Sequence, residues 1–127
     1  MIINLNNKST EEEIDVVSLQ KETIESMKGY IPNLVQKLEG MVVELRTNVQ
    51  EDSWEYLRMM IDGFNWVLEA YNGTSSIINQ DGAIDESNVQ KTVDDFSDAF
   101  IGKKAEETAT IIEVGVVPFL KCVQGKL

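Results

Sequence analysis

Apolar residues recur every seven positions through the first third of the chain. The main series runs through Val17, Ile24, Ile31, Leu38 and Leu45, with Met27, Leu34 and Met41 interleaved. This spacing places the apolar side chains along one side of an α-helix. Such a helix is stable when another element covers its apolar side, so the pattern predicts a protein built of helices packed on helices.

The first helix is predicted to be interrupted. Two capping-box patterns predict a start near residue 10, which leaves residues 1–9 as a flexible N-terminal segment. Pro32 lacks a backbone N–H and its ring clashes with the preceding turn. We therefore expect two helical segments, 11–28 and 31–48, with a kink or break between them, and the first segment then packs away from the second helix.

A second apolar series predicts the next helix over residues 53–72. Its members are Trp54, Leu57, Ile61, Phe64, Leu68 and Tyr71. Because the connection from residue 48 to residue 53 is short, this helix should pair with segment 31–48 as an antiparallel hairpin. Residues 73–86 contain several turn-forming residues and are predicted to be a loop.

Two more helices complete the prediction. One begins at Ser87 and ends at Gly102, and the last runs from about Ala105 to Val123 with an interruption at Gly115–Pro118. The fold class predicted for residues 1–127 is one all-α domain, an antiparallel bundle of four to six helices with kinked or broken first and last helices.

Composition narrows the function. The chain has 127 residues and no histidine, which excludes histidine-based zinc sites and Ser-His or Cys-His nucleophile pairs. A formal net charge of -11 disfavours nucleic acid and anionic membranes as partners. The N-terminus carries no charged leader and no stretch approaches a membrane-spanning length, so a cytoplasmic location is expected. No cofactor is expected either.

Two groups of oxygen-bearing side chains are candidates for metal sites. Asn79–Asp85 resembles the middle of an EF-hand loop, but Ile77 and Asn88 stand where the strongest ligands belong, so no calcium site is predicted. Asp94, Asp95 and Asp98 lie near one helical face and could serve a metal-dependent enzyme, but carboxylate metal sites in helix bundles normally also use histidine, so a solvated face is favoured and no metal site is predicted.

The candidate protein-binding residues are Tyr56, Met59 and Trp66. These side chains lie off the apolar series of the second helix, on its flanks. Either a third helix of the same chain covers them, or they form an interface with another chain, where tryptophan and tyrosine are enriched.

Three segments resemble a family of small uncharacterised helical proteins of Gram-positive bacteria. They are Tyr30–Leu34, Ile61–Val67 and Glu113–Leu120, and the resemblance covers roughly residues 30–120. Members of that family sometimes carry a chaperone-like label. The resemblance implies a helical fold and transfers no functional residue.

The sequence leaves three hypotheses for function. The favoured one is a non-enzymatic, chaperone-like module that binds another polypeptide. The second is a self-associating structural homodimer, in which a second copy covers the open apolar surface. The third is a carboxylate-based metal-dependent enzyme that uses Asp94, Asp95 and Asp98.

Overall fold

The computed structural model describes the backbone of residues 2–127 and the side chains of residues 16–127. Its helices are α1 (Ile2–Thr47), α2 (Glu51–Ile78), α3 (Glu86–Ile101), α4 (Ala105–Ile111) and α5 (Val117–Lys126), and a π-helical turn (Ile112–Val116) joins α4 to α5. No strand occurs within residues 2–127. The predicted all-α helical bundle is confirmed.

Helix α1 is the central element, since it contacts α2 on one side and the α4–α5 stretch on the other. Residues of α1 meet residues of α2 in reverse order. Near one end the Gln20 side chain donates to the Gly73 carbonyl oxygen at 3.1 Å, and near the other the Ser53 hydroxyl donates to the Glu44 carboxylate. The predicted antiparallel hairpin is therefore observed, with a longer α2 than expected.

Helix α3 closes the bundle by packing against α4 and α2. The Phe64 and Phe96 rings meet with their centroids 6.1 Å apart, and the rings of Trp54 and Phe100 lie at the same centroid distance. Phe64 is almost fully buried, as the apolar series of α2 predicts. Burial of such aromatic side chains supplies much of the apolar area that holds a small bundle together.

The predicted division of the first helix is wrong. Helix α1 begins at Ile2 rather than near residue 10 and continues without interruption through Pro32. Pro32 removes one backbone hydrogen bond from the helix. The nearby side chains of Ile31 and Leu34 are buried, with exposures of 0% and 2%. Their burial in the core, which α1 shares with the helices it contacts, outweighs the lost hydrogen bond. The predicted flexible segment, residues 1–9, lies outside the range over which the structure describes side chains.

Helix α2 continues beyond its predicted end at residue 72 and ends at Ile78. The buried Thr74 is compatible with this extension, because its hydroxyl donates to the Ala70 carbonyl oxygen at 2.7 Å and is thereby satisfied inside the helix. The added turns lie against the first part of α1. The expectation that this part of α1 packs elsewhere is therefore wrong as well.

The α2–α3 loop spans residues 79–85 instead of 73–86. Asn79 holds it closed, since its side chain accepts from the Ile84 N–H at 2.9 Å and donates to the Ile84 carbonyl oxygen at 3.1 Å. Asp81 accepts from the Ala83 N–H at 3.2 Å and forms an ion pair with Lys126. The side-chain oxygens of Asn79 and Asp81, which resemble EF-hand ligands, are thus already bonded to other groups of the protein.

Helix α3 begins at Glu86, one residue before the predicted Ser87. Asp85 is its N-cap, because its carboxylate accepts from the Asn88 N–H at 3.2 Å. The predicted end at Gly102 is confirmed, since Gly102 is the C-cap of the helix.

The predicted interruption of the last helix appears as the π-helical turn directly before α5. Gly115 lies in this turn, and a Cβ atom there would come within 2.7 Å of the Thr92 methyl carbon of α3. Pro118 follows in the first turn of α5, where a missing N–H is tolerated. Glycine thus permits close contact between α3 and the turn.

By length and composition alone, Ala105–Lys126 could cross a membrane, so the expectation that no stretch approaches such a length is wrong. In the bundle this stretch supplies core residues, among them Ile112, Val116 and Leu120, which are fully buried. A core helix of a bundle passes the same test of length and composition.

Candidate functional site

The three candidate protein-binding residues lie together on the outward side of α2. Exposure is 56% for Tyr56, 69% for Met59 and 39% for Trp66. Steps of three and seven residues bring side chains to one side of a helix, and the opposite side carries the buried Leu57 and Phe64. No third helix covers Tyr56 and Met59 within the part of the chain that the structure describes. We refer to Tyr56, Met59 and Trp66 as the α2 surface.

Tyr30 of α1 borders the α2 surface, which sequence reasoning did not foresee. Its ring meets the Trp66 ring edge to face, with the centroids 5.4 Å apart and 82° between the planes. Gly63 makes this contact feasible, because a Cβ atom at that position would overlap the Tyr30 hydroxyl. A glycine inside a strong helical pattern was the available signal, since it often marks a close approach of another element.

A shallow groove of about 230 Å³ continues the α2 surface toward the end of α2. It lies between α1 and α2, and its apolar lining includes Val16, Leu19 and Ala70. Ala70 follows Trp66 by one helical turn, so groove and surface are continuous along α2. Val16 and Leu19 are more than half exposed. Sequence reasoning missed this extension because it ended α2 too early.

A row of carboxylates runs beside the α2 surface. Glu55, Asp62 and Glu69 are seven residues apart and exposed, so they share one side of α2. Glu55 precedes Met59 by one turn, and Asp62 precedes Trp66 in the same way. None of the three carboxylates forms an ion pair with another of residues 16–127. The apolar stripe therefore has a negatively charged border.

Residues 22–126 match the family described as a domain of unknown function, DUF8042. The chain belongs to this family. The matched range contains the α2 surface and Tyr30, whereas Val16 and Leu19 precede it. No curated protein and no solved structure matches the chain. Function is therefore inferred from the surfaces of the DUF8042 domain itself.

The three aspartates of α3 are only partly brought together in the DUF8042 domain. Asp95 and Asp98 line a groove of about 430 Å³ between α3 and α4, where Lys104 also lies. Asp94 accepts a hydrogen bond from the Gln90 side chain at 3.0 Å instead. Among the residues described, no three acidic or cysteine side chains form a group that could hold a metal ion. The metal-dependent enzyme stays a hypothesis without geometric support.

An ion-pair cluster joins α1 to the last helical stretch of the DUF8042 domain. Arg46 donates to Glu113 at 2.9 Å, to Glu106 at 3.2 Å and to the Thr110 hydroxyl at 3.1 Å. The hydrogen bond with Glu113 is the main cause that raises the pKa of Arg46. The cluster fixes α1 against α4 and the π-helical turn, on residues separate from the α2 surface.

A second polar contact joins α2 to α3. The Tyr71 hydroxyl donates to the Glu86 carboxylate at 2.8 Å. Burial, reinforced by this hydrogen bond, raises the pKa of Tyr71 to about 12. Tyr71 belongs to the core, as its place in the apolar series predicts, and is not available for binding.

Proposed function

We propose that the protein is a non-enzymatic, chaperone-like binding module that engages another polypeptide through the α2 surface. The supporting observation is the exposure of Tyr56, Met59 and Trp66 side by side on one side of α2. Large aromatic side chains and methionine are enriched in protein interfaces. Methionine also adapts its shape to different partners. We place this activity in the cytoplasm, as the sequence predicts.

The α2 surface is a contiguous apolar patch of the kind found in interfaces, rather than a set of isolated exposed apolar side chains. Single exposed apolar side chains are common on any protein and require no explanation. Here Trp66 contacts Tyr30, and the apolar groove at Ala70 continues the same stripe. Neighbouring apolar area of this kind typically marks a place where another molecule binds.

A matched set of variants tests the proposal. Tyr56→Ser with Met59→Ser removes two exposed apolar side chains and leaves the Tyr30–Trp66 contact in place. Ile101→Ser removes an equally exposed apolar side chain from the end of α3 and is the control. The probe is a reduced, alkylated and permanently unfolded polypeptide with a fluorescent label, and binding is followed by anisotropy.

We expect the wild type and Ile101→Ser to bind the unfolded probe, and the double variant to lose at least about tenfold in affinity while it stays folded. Circular dichroism and urea unfolding report the fold. Static light scattering of the same samples detects the homodimer, which is the alternative function. Unchanged binding by the double variant would refute the proposal, whether or not its stability falls.

A further inference from the structure

We infer that the α2 surface takes a cationic amphipathic helix of another protein in preference to a second copy of this chain. The inference rests on the proposed function and names the chemistry of the polypeptide bound there. It is carried by the charges that border the surface and by the shape of the apolar stripe.

Helix α2 carries five carboxylates and a single cation, Arg58. The carboxylates are Glu51, Asp52, Glu55, Asp62 and Glu69, and all are exposed. Within residues 16–127 none of them has an ion-pair partner. A neutral apolar partner would take water away from these carboxylates and offer nothing in return. Lysine or arginine beside the apolar residues of the partner would supply the missing opposite charge.

The same charges disfavour a second copy. A two-fold symmetric dimer places the same patch of both copies face to face. When the two copies of α2 pack antiparallel, the row formed by Glu55, Asp62 and Glu69 lies against its own counterpart. Each copy also carries a formal net charge of -11, so the two chains repel one another before contact. Like charges brought together in an interface suppress that pairing.

The apolar stripe has the shape that an amphipathic helix fits. It follows α2 from Tyr56 through Met59 and Trp66 to the groove at Ala70 and Gly73. At about 1.5 Å per residue this distance is about 25 Å, or between four and five helical turns. A bound helix presents apolar anchors every three or four residues along such a groove. Its basic residues would then face the carboxylate row on the outer side.

Three synthetic peptides of about 18 residues test the inference. The first is an amphipathic helix of leucine and lysine, and the second has glutamate in place of every lysine. The third is a scrambled form of the first, with the same composition and charge and no apolar side. Binding to the full chain is measured by fluorescence anisotropy at low and high salt.

We expect the amphipathic lysine peptide to bind at least about tenfold more tightly than the other two, and to weaken as salt rises. Glu55→Gln with Asp62→Asn and Glu69→Gln should weaken its binding by about tenfold. The control is Asp94→Asn with Asp95→Asn and Asp98→Asn, which removes the same charge from α3 and should leave binding unchanged. Tyr56→Ser with Met59→Ser should abolish binding at constant charge.

Three outcomes overturn the inference and leave the proposed function standing. In the first, the lysine and glutamate peptides bind the wild type equally tightly, and the variant Tyr56→Ser with Met59→Ser binds neither. The second is an equal loss in the α2 and α3 charge variants, which would show diffuse attraction to an acidic protein. The third is a stable dimer that the Tyr56→Ser with Met59→Ser variant dissociates. If no peptide binds and the unfolded probe does not bind either, the proposed function fails as well.

Discussion

The Tyr30 hydroxyl of α1 occupies the space that a side chain at Gly63 of α2 would require. The same Tyr30 ring supports Trp66 from the side, in an edge-to-face contact. The packing of α1 on α2 therefore sets the position of Trp66 on the proposed binding surface. Bundle stability and surface geometry are linked at this point.

Gly63→Ala is expected to destabilise the protein. The added methyl group forces the end of the Tyr30 side chain to move, and the overpacking cost of about 1–3 kcal/mol outweighs the gain in helix propensity of up to about 1 kcal/mol. Gly40→Ala is the matched control, because a Cβ atom there meets nothing within 4 Å and helix propensity should raise stability by up to about 1 kcal/mol. Urea unfolding measures both, and a Gly63→Ala variant as stable as Gly40→Ala would contradict the close approach of Tyr30.

Arg46→Gln is expected to lower the urea midpoint of unfolding. The substitution removes two ion pairs and the hydrogen bond to Thr110 that together hold α1 against the α4–α5 stretch. The shift should be larger at low salt, because salt screens exposed ion pairs. Arg58→Gln is the control, since Arg58 forms no ion pair with the residues described. Equal shifts of the urea midpoint in the two variants would mean that the ion pairs of Arg46 do not contribute to stability.

Stability should fall with rising pH between about 10 and 12, partly because of Tyr71. In the folded protein its pKa is raised to about 12, whereas the ordinary value is 10.0. In this range the unfolded chain has lost the phenol proton that the folded protein keeps, and deprotonation therefore favours unfolding. Tyr71→Phe should flatten this part of the stability profile relative to the wild type. A slope unchanged from that of the wild type would refute the assignment.

Calcium is not expected to bind at the α2–α3 loop. The Asp81 carboxylate is engaged with the Ala83 N–H and with Lys126, and this pairing lowers the pKa of Asp81. Asn79 is likewise bonded to both backbone groups of Ile84. Isothermal titration with calcium should therefore give no saturable heat. Micromolar binding that disappears in Asp81→Ala would contradict this expectation.

The sequence predicts the helices and much of the core because helical periodicity is a local property. Leu57, Phe64 and Tyr71 are buried as their spacing requires. The predicted helix boundaries are wrong where tertiary packing overrides a local sequence signal. Pro32 stays inside α1 because its neighbours are buried. The residues around Thr74 stay helical beside the first part of α1, where Gln20 donates to the Gly73 carbonyl oxygen.

The candidate site shows the same limit. Spacing places Tyr56, Met59 and Trp66 off the core side of α2, but it does not say whether another helix covers them. That depends on how the helices surround one another, which is a property of the whole chain. The contact of Tyr30 in α1 with Trp66 in α2 joins residues that are 36 positions apart in the sequence. No local pattern reveals such a contact.

Trp66 itself offers the most direct measurement of the central claim. In a Trp54→Phe background, Trp66 is the single tryptophan, and its emission reports on the α2 surface. We expect acrylamide to quench this emission readily in the free protein, and the amphipathic lysine peptide to shift the emission to shorter wavelength and protect it from the quencher. Trp66→Phe, which leaves only Trp54 beside Phe100, is the control and should show neither change. Bound peptide with unchanged Trp66 emission and quenching would contradict the account, because binding would then occur elsewhere on the protein.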